Sequence, residues 1–154
     1  AYGNENEMRK ENLNHIRSML SEHGPLKGSY CVEYEGFKNI ARFIRRGQQR
    51  NKRHIVYILF TIEDTCNGIN GADERYEALG MLEDSVRISL RVGDVATRYS
   101  GSQIVAILVD AKESDACMVA GRILGEFHSH TGMEHVRVEY DIQALEEDEP
   151  EENH

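Results

Sequence analysis

The chain has 154 residues, a length that fits one domain with short extensions and lets it bury most of the surface its unfolded form exposes. With 40% hydrophobic and 29% charged residues the composition is that of a globular protein, and no apolar run approaches the roughly 20 residues a membrane span needs. A formal charge of −9 argues against a nucleic-acid binder that works by neutralising phosphates.

The opening AYGNENEMRKEN has no basic flank followed by an apolar core, so no secretory signal is expected and the chain reads as cytoplasmic. Cys31, Cys66 and Cys117 are odd in number and scattered, with no C-x-x-C. They fit buried small residues in a reducing compartment better than disulfides or a metal site. From Glu5 to Glu22 the apolar residues Met8, Leu13, Ile16, Met19 and Leu20 recur mostly three or four apart, which predicts an amphipathic helix stopped by His23-Gly24-Pro25. A second helix is predicted from Tyr34, with Phe37, Ile40, Ala41 and Ile44 on one face and an end near Gly47. Arg42, Arg45, Arg46, Arg50, Lys52 and Arg53 crowd its end. They fit a solvated helix terminus, where cations suit the macrodipole, or a surface for an anionic ligand or a partner's carboxylates.

His54 to Ile62, HIVYILFTI, is rich in β-branched and aromatic residues and is expected to be the central strand. A helix follows over about Asp73 to Leu90, with Leu79, Leu82, Val86 and Leu90 on one face. Arg91 to Val109 reads as a strand, a tight turn at Ser100-Gly101 and a second strand, whose apolar run from Ile104 to Val109 suggests cover on both faces. Glu113-Ser114-Asp115 offers a helix start, with Ala116, Ala120, Ile123, Leu124 and Phe127 as the apolar face. His128 and His130 are placed in a polar loop after it; with no carboxylate or Cys at ligand spacing, a zinc site is disfavoured. Val136, Val138, Tyr140 and Ile142 alternate with polar residues, as in a half-buried strand near a sheet edge. Glu146, Glu147, Asp148, Glu149, Glu151 and Glu152 then form an acidic tail that is expected to be disordered and solvated.

One stretch carries a family pattern. Arg91-Val92-Gly93-Asp94 supplies R-x-x-D, Val95 to Tyr99 is a spacer ending in Arg98-Tyr99, and Ser100-Gly101-Ser102-Gln103-Ile104 occupies the place of a G-G-[DE]-E-F signature. Upstream, Leu26-Lys27-Gly28 keeps the Leu and Gly of D-x-L-T-G-L-x-N-R, and Leu79 falls on the Leu of G-D-x-x-L. The chain thus resembles a degenerate GGDEF domain, of the family that includes the diguanylate cyclases, over roughly Leu26 to Leu145. The resemblance implies an α+β, nucleotidyl cyclase palm-like fold: a central, mostly antiparallel sheet of about five strands covered by helices. It divides the chain into an N-terminal connecting helix (1–25), a GGDEF-like domain (26–145) and the acidic tail (146–154). A helix in the first position implies, by the resemblance, an upstream sensor domain or partner protein, or a homodimer; the alternative is a helix packed on its own domain.

The resemblance also implies a site, residue by residue. The family's metal is held by the first Asp of D-x-D and the third residue of GGDEF, and these positions hold Thr61 and Ser102. Gln103 replaces the Glu, Ser100 the first Gly, Tyr76 the Asp that reads guanine and Arg75 the Gly before it. The Asn of I-N-D falls in either Cys66-Asn67-Gly68 or Gly68-Ile69-Asn70-Gly71. Neutral Thr61 and Ser102 cannot replace carboxylates around magnesium, so the expectation is no cofactor and no diguanylate cyclase activity. The alternative is an enzyme of altered nucleotide chemistry, with Glu63 and Asp64 holding Mg. Arg91 and Asp94 match the family's inhibitory site for cyclic di-GMP; their other reading is structural, as a mutual pair or a helix cap. An RNA-binding module on a similar sheet fails on charge and on the lack of paired surface aromatics.

Overall fold

A computed structural model of the chain describes residues 2–21, 30–64, 71–132 and 135–145. In chain order the elements are α1 (Tyr2–Leu20), β1 (Tyr30–Cys31), α2 (Tyr34–Asn51), β2 (Ile55–Asp64), α3 (Gly71–Ser89), β3 (Val95–Ser100), β4 (Gln103–Val109), α4 (Glu113–Thr131) and β5 (Val136–Ala144). They form an α+β fold. The five strands make one sheet in the order β1-β3-β4-β2-β5, antiparallel throughout except for the short parallel pairing of β1 with β3.

Strand alternation divides the core between the two faces of this sheet. On one face Val56, Ile58, Phe60 and Ile62 of β2 and Ile104, Ala106 and Leu108 of β4 pack with Leu79, Leu82 and Val86 of α3 and Ala116, Ala120, Ile123 and Phe127 of α4. On the other, Ile55, Val95 and Ile107 meet Phe37, with Ile40, Ala41 and Ile44 of α2 packed alongside. The apolar run in β4 is therefore covered on both sides, as its composition predicts. Phe60 and Phe127 are fully buried, and side chains of this size each contribute about 1.5–3 kcal/mol through the water-exposed area they remove.

The structure corrects several sequence expectations. The strand β2 is interior but not central, because β4 lies in the middle of the five. Helix α2 runs on past Gly47 to Asn51 and closes with Lys52 in the left-handed region (φ 51°), its N–H donating to Gln48 O at 2.7 Å. His128 and His130 belong to the last turn of α4, which ends only at Gly132 with φ 59°, a conformation glycine adopts without a Cβ clash. The two-residue β1 has no alternation to reveal it. Cys117 is exposed and Cys31 half-buried, not buried as expected; Cys66 lies outside the described residues. The apolar side chains of α1, Met8, Leu13, Ile16, Met19 and Leu20, are all exposed. No helix among the described residues is long and apolar enough to cross a membrane.

Candidate functional site

The hairpin turn falls on Gly101-Ser102, one residue later than expected, because Ser100 still pairs with Gln103. Between Arg98 and Ser100 the register slips, leaving Tyr99 as a bulge. Across the sheet Thr61 of β2 lies opposite Gln103 of β4, and the two strands are stapled at the turn by the Ile62 N–H, which donates to Ser102 O at 2.8 Å. Side chains complete a chain of neutral hydrogen bonds. Gln103 Nε2 donates to Thr61 Oγ1 (3.2 Å), the Ser100 hydroxyl donates to Gln103 Oε1 (3.0 Å), and the Ser102 N–H donates to Ser100 Oγ (3.3 Å). Thr61 thus meets Gln103 directly, while Ser102 joins through its backbone. Glu63 is exposed and sits opposite Arg137 of β5; the Asp64 side chain and residues 65–70 lie outside the described residues.

At the other end of β3, Arg91 and Asp94 form a closed turn. The Asp94 N–H donates to Arg91 O at 3.0 Å, and the carboxylate is 3% exposed. Its Oδ2 accepts the Arg91 N–H (3.0 Å) and its Oδ1 the Val109 N–H (3.2 Å), which ties the start of the hairpin to its end. Burial raises the carboxyl above its ordinary pKa, and the backbone donors of Arg91 and Val109 and the Arg91 charge draw it partly back. The Arg91 guanidinium is exposed; its Nη2 donates to Val109 O at 2.9 Å and its Nε lies 3.8 Å from Asp94 Oδ2. Asp94 thus serves the backbone, while the Arg91 guanidinium faces outward.

A third residue joins them that the sequence reading missed. Arg122 of α4 lines the same groove as Arg91 and Asp94, together with Asp110, Asp115 and Met118, around a cavity of about 430 Å³. Its Nη2 donates to Ser89 O at 3.0 Å. The signal was present in the helix period, because Asp115, Met118, Val119 and Arg122 stand at i, i+3, i+4 and i+7 and so share one stripe of α4.

Tyr76 is exposed on α3 and meets the hairpin through Arg98 of β3, whose guanidinium lies 5.8 Å from its ring centroid. Arg98 itself is paired with Glu83, whose hydrogen bond holds the guanidinium more firmly protonated. His130 Nδ1 lies 2.8 Å from Glu126 O and 3.0 Å from Ser129 Oγ, and no group of three or more His, Cys, Asp or Glu among the described residues is placed to hold a metal.

No family model matches the sequence, and no curated protein matches it. Solved structures do. A DGC protein from Thermotoga maritima matches with a TM-score of 0.63 at 17% identity, over 81% of this chain and 88% of that one. The GGDEF domain of DgcB from Caulobacter crescentus, in complex with c-di-GMP, matches with a TM-score of 0.64 at 10% identity, over 82% and 81%. The fold is that of a GGDEF domain. The diguanylate cyclase SiaD from Pseudomonas aeruginosa, in complex with its activator SiaC, matches at 0.64 and 15% identity over 97% of this chain, which spans 59% of that one.

The sequence resemblance implies a divalent metal at the hairpin, and the described side chains joined to one another there offer it no carboxylate. Hard cations are bound through anionic oxygens, whereas Thr61, Ser100 and Gln103 offer two hydroxyls and an amide already bonded to one another.

Proposed function

We propose that this chain is a non-catalytic GGDEF-fold signalling module that binds cyclic di-GMP in the groove lined by Arg91 and Arg122. The observation that carries this reading is that Arg91, from the β3 entry turn, and Arg122, from α4, line one groove, beside Asp94, Asp110 and Asp115. A guanidinium presents a planar fork of donors that suits phosphate oxygens and the acceptor edge of guanine, and a cyclic dinucleotide supplies both. Asp94 is then the positioning member: by holding the Arg91 and Val109 backbone it fixes where the Arg91 side chain leaves the sheet. Turnover is disfavoured by the hairpin chemistry. Joining two nucleoside triphosphates is phosphoryl transfer, which depends on metal ions to neutralise phosphate charge, and Thr61, Ser102 and Gln103 contribute no charge of their own. In this reading residues 26–145 form the module and 1–25 the helix that connects it, in the cytoplasm, to a sensor or partner protein.

Titration calorimetry with cyclic di-GMP, GTP and ATP, with and without magnesium, tests the proposal. Metal-independent binding of cyclic di-GMP is expected, weakened about tenfold or more in Arg91→Ala and in Arg122→Ala, since hydrogen bonds to charged groups are worth about 1.5–3 kcal/mol. Incubation with GTP and magnesium or manganese is expected to match a no-protein control. Clear turnover, or binding indifferent to both substitutions, overturns the reading.

A further inference from the structure

A second groove lies at the end of the sheet away from the hairpin turn, where β2 and α4 begin and where α2 and β5 end. Its cavity of about 540 Å³ is lined by Gln48, Lys52, Arg53, His54, Lys112 and Leu145, among others. Three features of it point the same way. Lys52, Arg53 and Lys112 are exposed cations, against which the structure sets Asp110, 3.6 Å from Arg53 Nε, and Glu113 on the groove wall. Helix α4 begins in the groove wall, where its dipole adds partial positive charge that the carboxylates of Glu113 and Asp115 in its first turn partly offset. Gln48, only 5% exposed, donates through Nε2 to Leu145 O (2.5 Å) and Arg53 O (3.3 Å), yet its Oε1 has no hydrogen-bond partner among the described residues. A buried amide oxygen left alone is costly, so the position calls for an N–H donor.

The occupant that meets all three demands is already tethered to the groove. Leu145 forms part of its wall, bonded through its N–H to Ile55 O at 2.8 Å and through its carbonyl to Gln48. The chain continues from Leu145 into Glu146-Glu147-Asp148-Glu149-Pro150-Glu151-Glu152, which carries six carboxylates. We propose that this acidic segment occupies the groove in cis, its carboxylates against Lys52, Arg53 and Lys112 and one of its backbone N–H groups on Gln48 Oε1. Exposed ion pairs are individually weak and screened by salt. Tethering at Leu145 removes most of the cost of association, because the effective concentration of a directly attached segment is high. The groove is thus an acidic-peptide site filled by its own chain, and the inference stands apart from the cyclic di-GMP reading.

Zero-length carbodiimide coupling of the full chain at low salt, followed by peptide mapping of the monomer fraction, tests this. Amide links from residues 146–152 to Lys52 or Lys112 are expected, lost at high salt and lost from the remaining lysine when Arg53→Glu is combined with either Lys52→Glu or Lys112→Glu. As a second measurement, a chain ending at Leu145 is expected to bind a synthetic peptide of residues 146–154 that the full chain does not take up. Links found only within cross-linked dimers assign the groove to a second copy's tail and overturn the cis proposal. So does an absence of links, or equal peptide uptake by the two chains.

Discussion

Asp94 keeps both carboxylate oxygens on backbone N–H groups, from residues eighteen positions apart, while its own N–H closes the turn back to Arg91. Replacing it with alanine strands two donors in a place water barely reaches. Asp94→Ala is therefore expected to cost about 1–3 kcal/mol of unfolding free energy in a urea titration at neutral pH. The same burial sets a pH dependence. Because burial outweighs the hydrogen bonds and lifts the carboxyl above its ordinary 3.8, the folded state holds the proton more tightly than the unfolded chain does. The stability this group contributes is then full below 3.8 and is lost as pH rises through its folded pKa. In acid-to-neutral urea titrations the stability difference between the parent chain and Asp94→Asn is expected to shrink with rising pH; a difference that grows contradicts the assignment. Arg91, by contrast, keeps an exposed guanidinium that its neighbours orient without enclosing.

At the scale of elements, the hairpin turn and the end of β2 are held by hydrogen bonds between uncharged groups. Thr61→Asp with Ser102→Asp and Gln103→Glu is expected to break that chain and to set like charges side by side on adjoining strands. The triple variant should melt below the parent in chelator and recover on adding magnesium, while the parent's melting temperature stays unmoved by either, as thermal scans would report. Helix α1 predicts the opposite kind of insensitivity. Its apolar side chains are exposed, so removing residues 2–20 is expected to change the unfolding free energy of the rest by no more than about 0.5 kcal/mol.

Helix faces and strand alternation made most of this legible in advance. Leu79, Leu82 and Val86 on α3, and Ala116, Ala120, Ile123 and Phe127 on α4, are buried where their spacing put them. What escaped was of two kinds. The short β1 and the extension of α2 to Asn51 depend on tertiary pairing and on a left-handed cap at Lys52, a residue type with no preference for that conformation. Arg122 escaped because it serves the groove only once α4 is folded against the β3 entry turn. A motif read along the chain sees Arg91 and Asp94, three apart, but not a partner brought in from the next helix.

As a whole, the molecule is a sheet with two unequal covers, α3 and α4 on one face and α2 on the other. The larger cover should dominate stability: Phe127→Ala, which empties a fully buried position between α4 and the sheet, is expected to cost about 3–5 kcal/mol in chemical denaturation. The two grooves lie toward the same end of the β3–β4 hairpin, away from its turn, one at the entry of β3 and one beyond the exit of β4. The turn that carries the family signature lies at the other end.

The bulge at Tyr99 has a bearing on how sequences of this fold are to be counted. Strand side chains change face with every residue, yet Tyr99 lines a groove with Tyr57 and Val105 while Ser100, one step on, bonds to Gln103 beside Thr61 on that same face. The five-residue interval between Asp94 and Ser100 thus holds one residue more than strict alternation needs to bring Ser100 to that face. Deleting one residue from Val95 to Tyr99 would remove the bulge and restore strict alternation, leaving the Ser100 hydroxyl beside Gln103 on the α2 side of the sheet. In a comparison of related hairpins, a one-residue gap placed in that interval therefore marks the loss of the bulge, whereas a substitution there leaves the count intact.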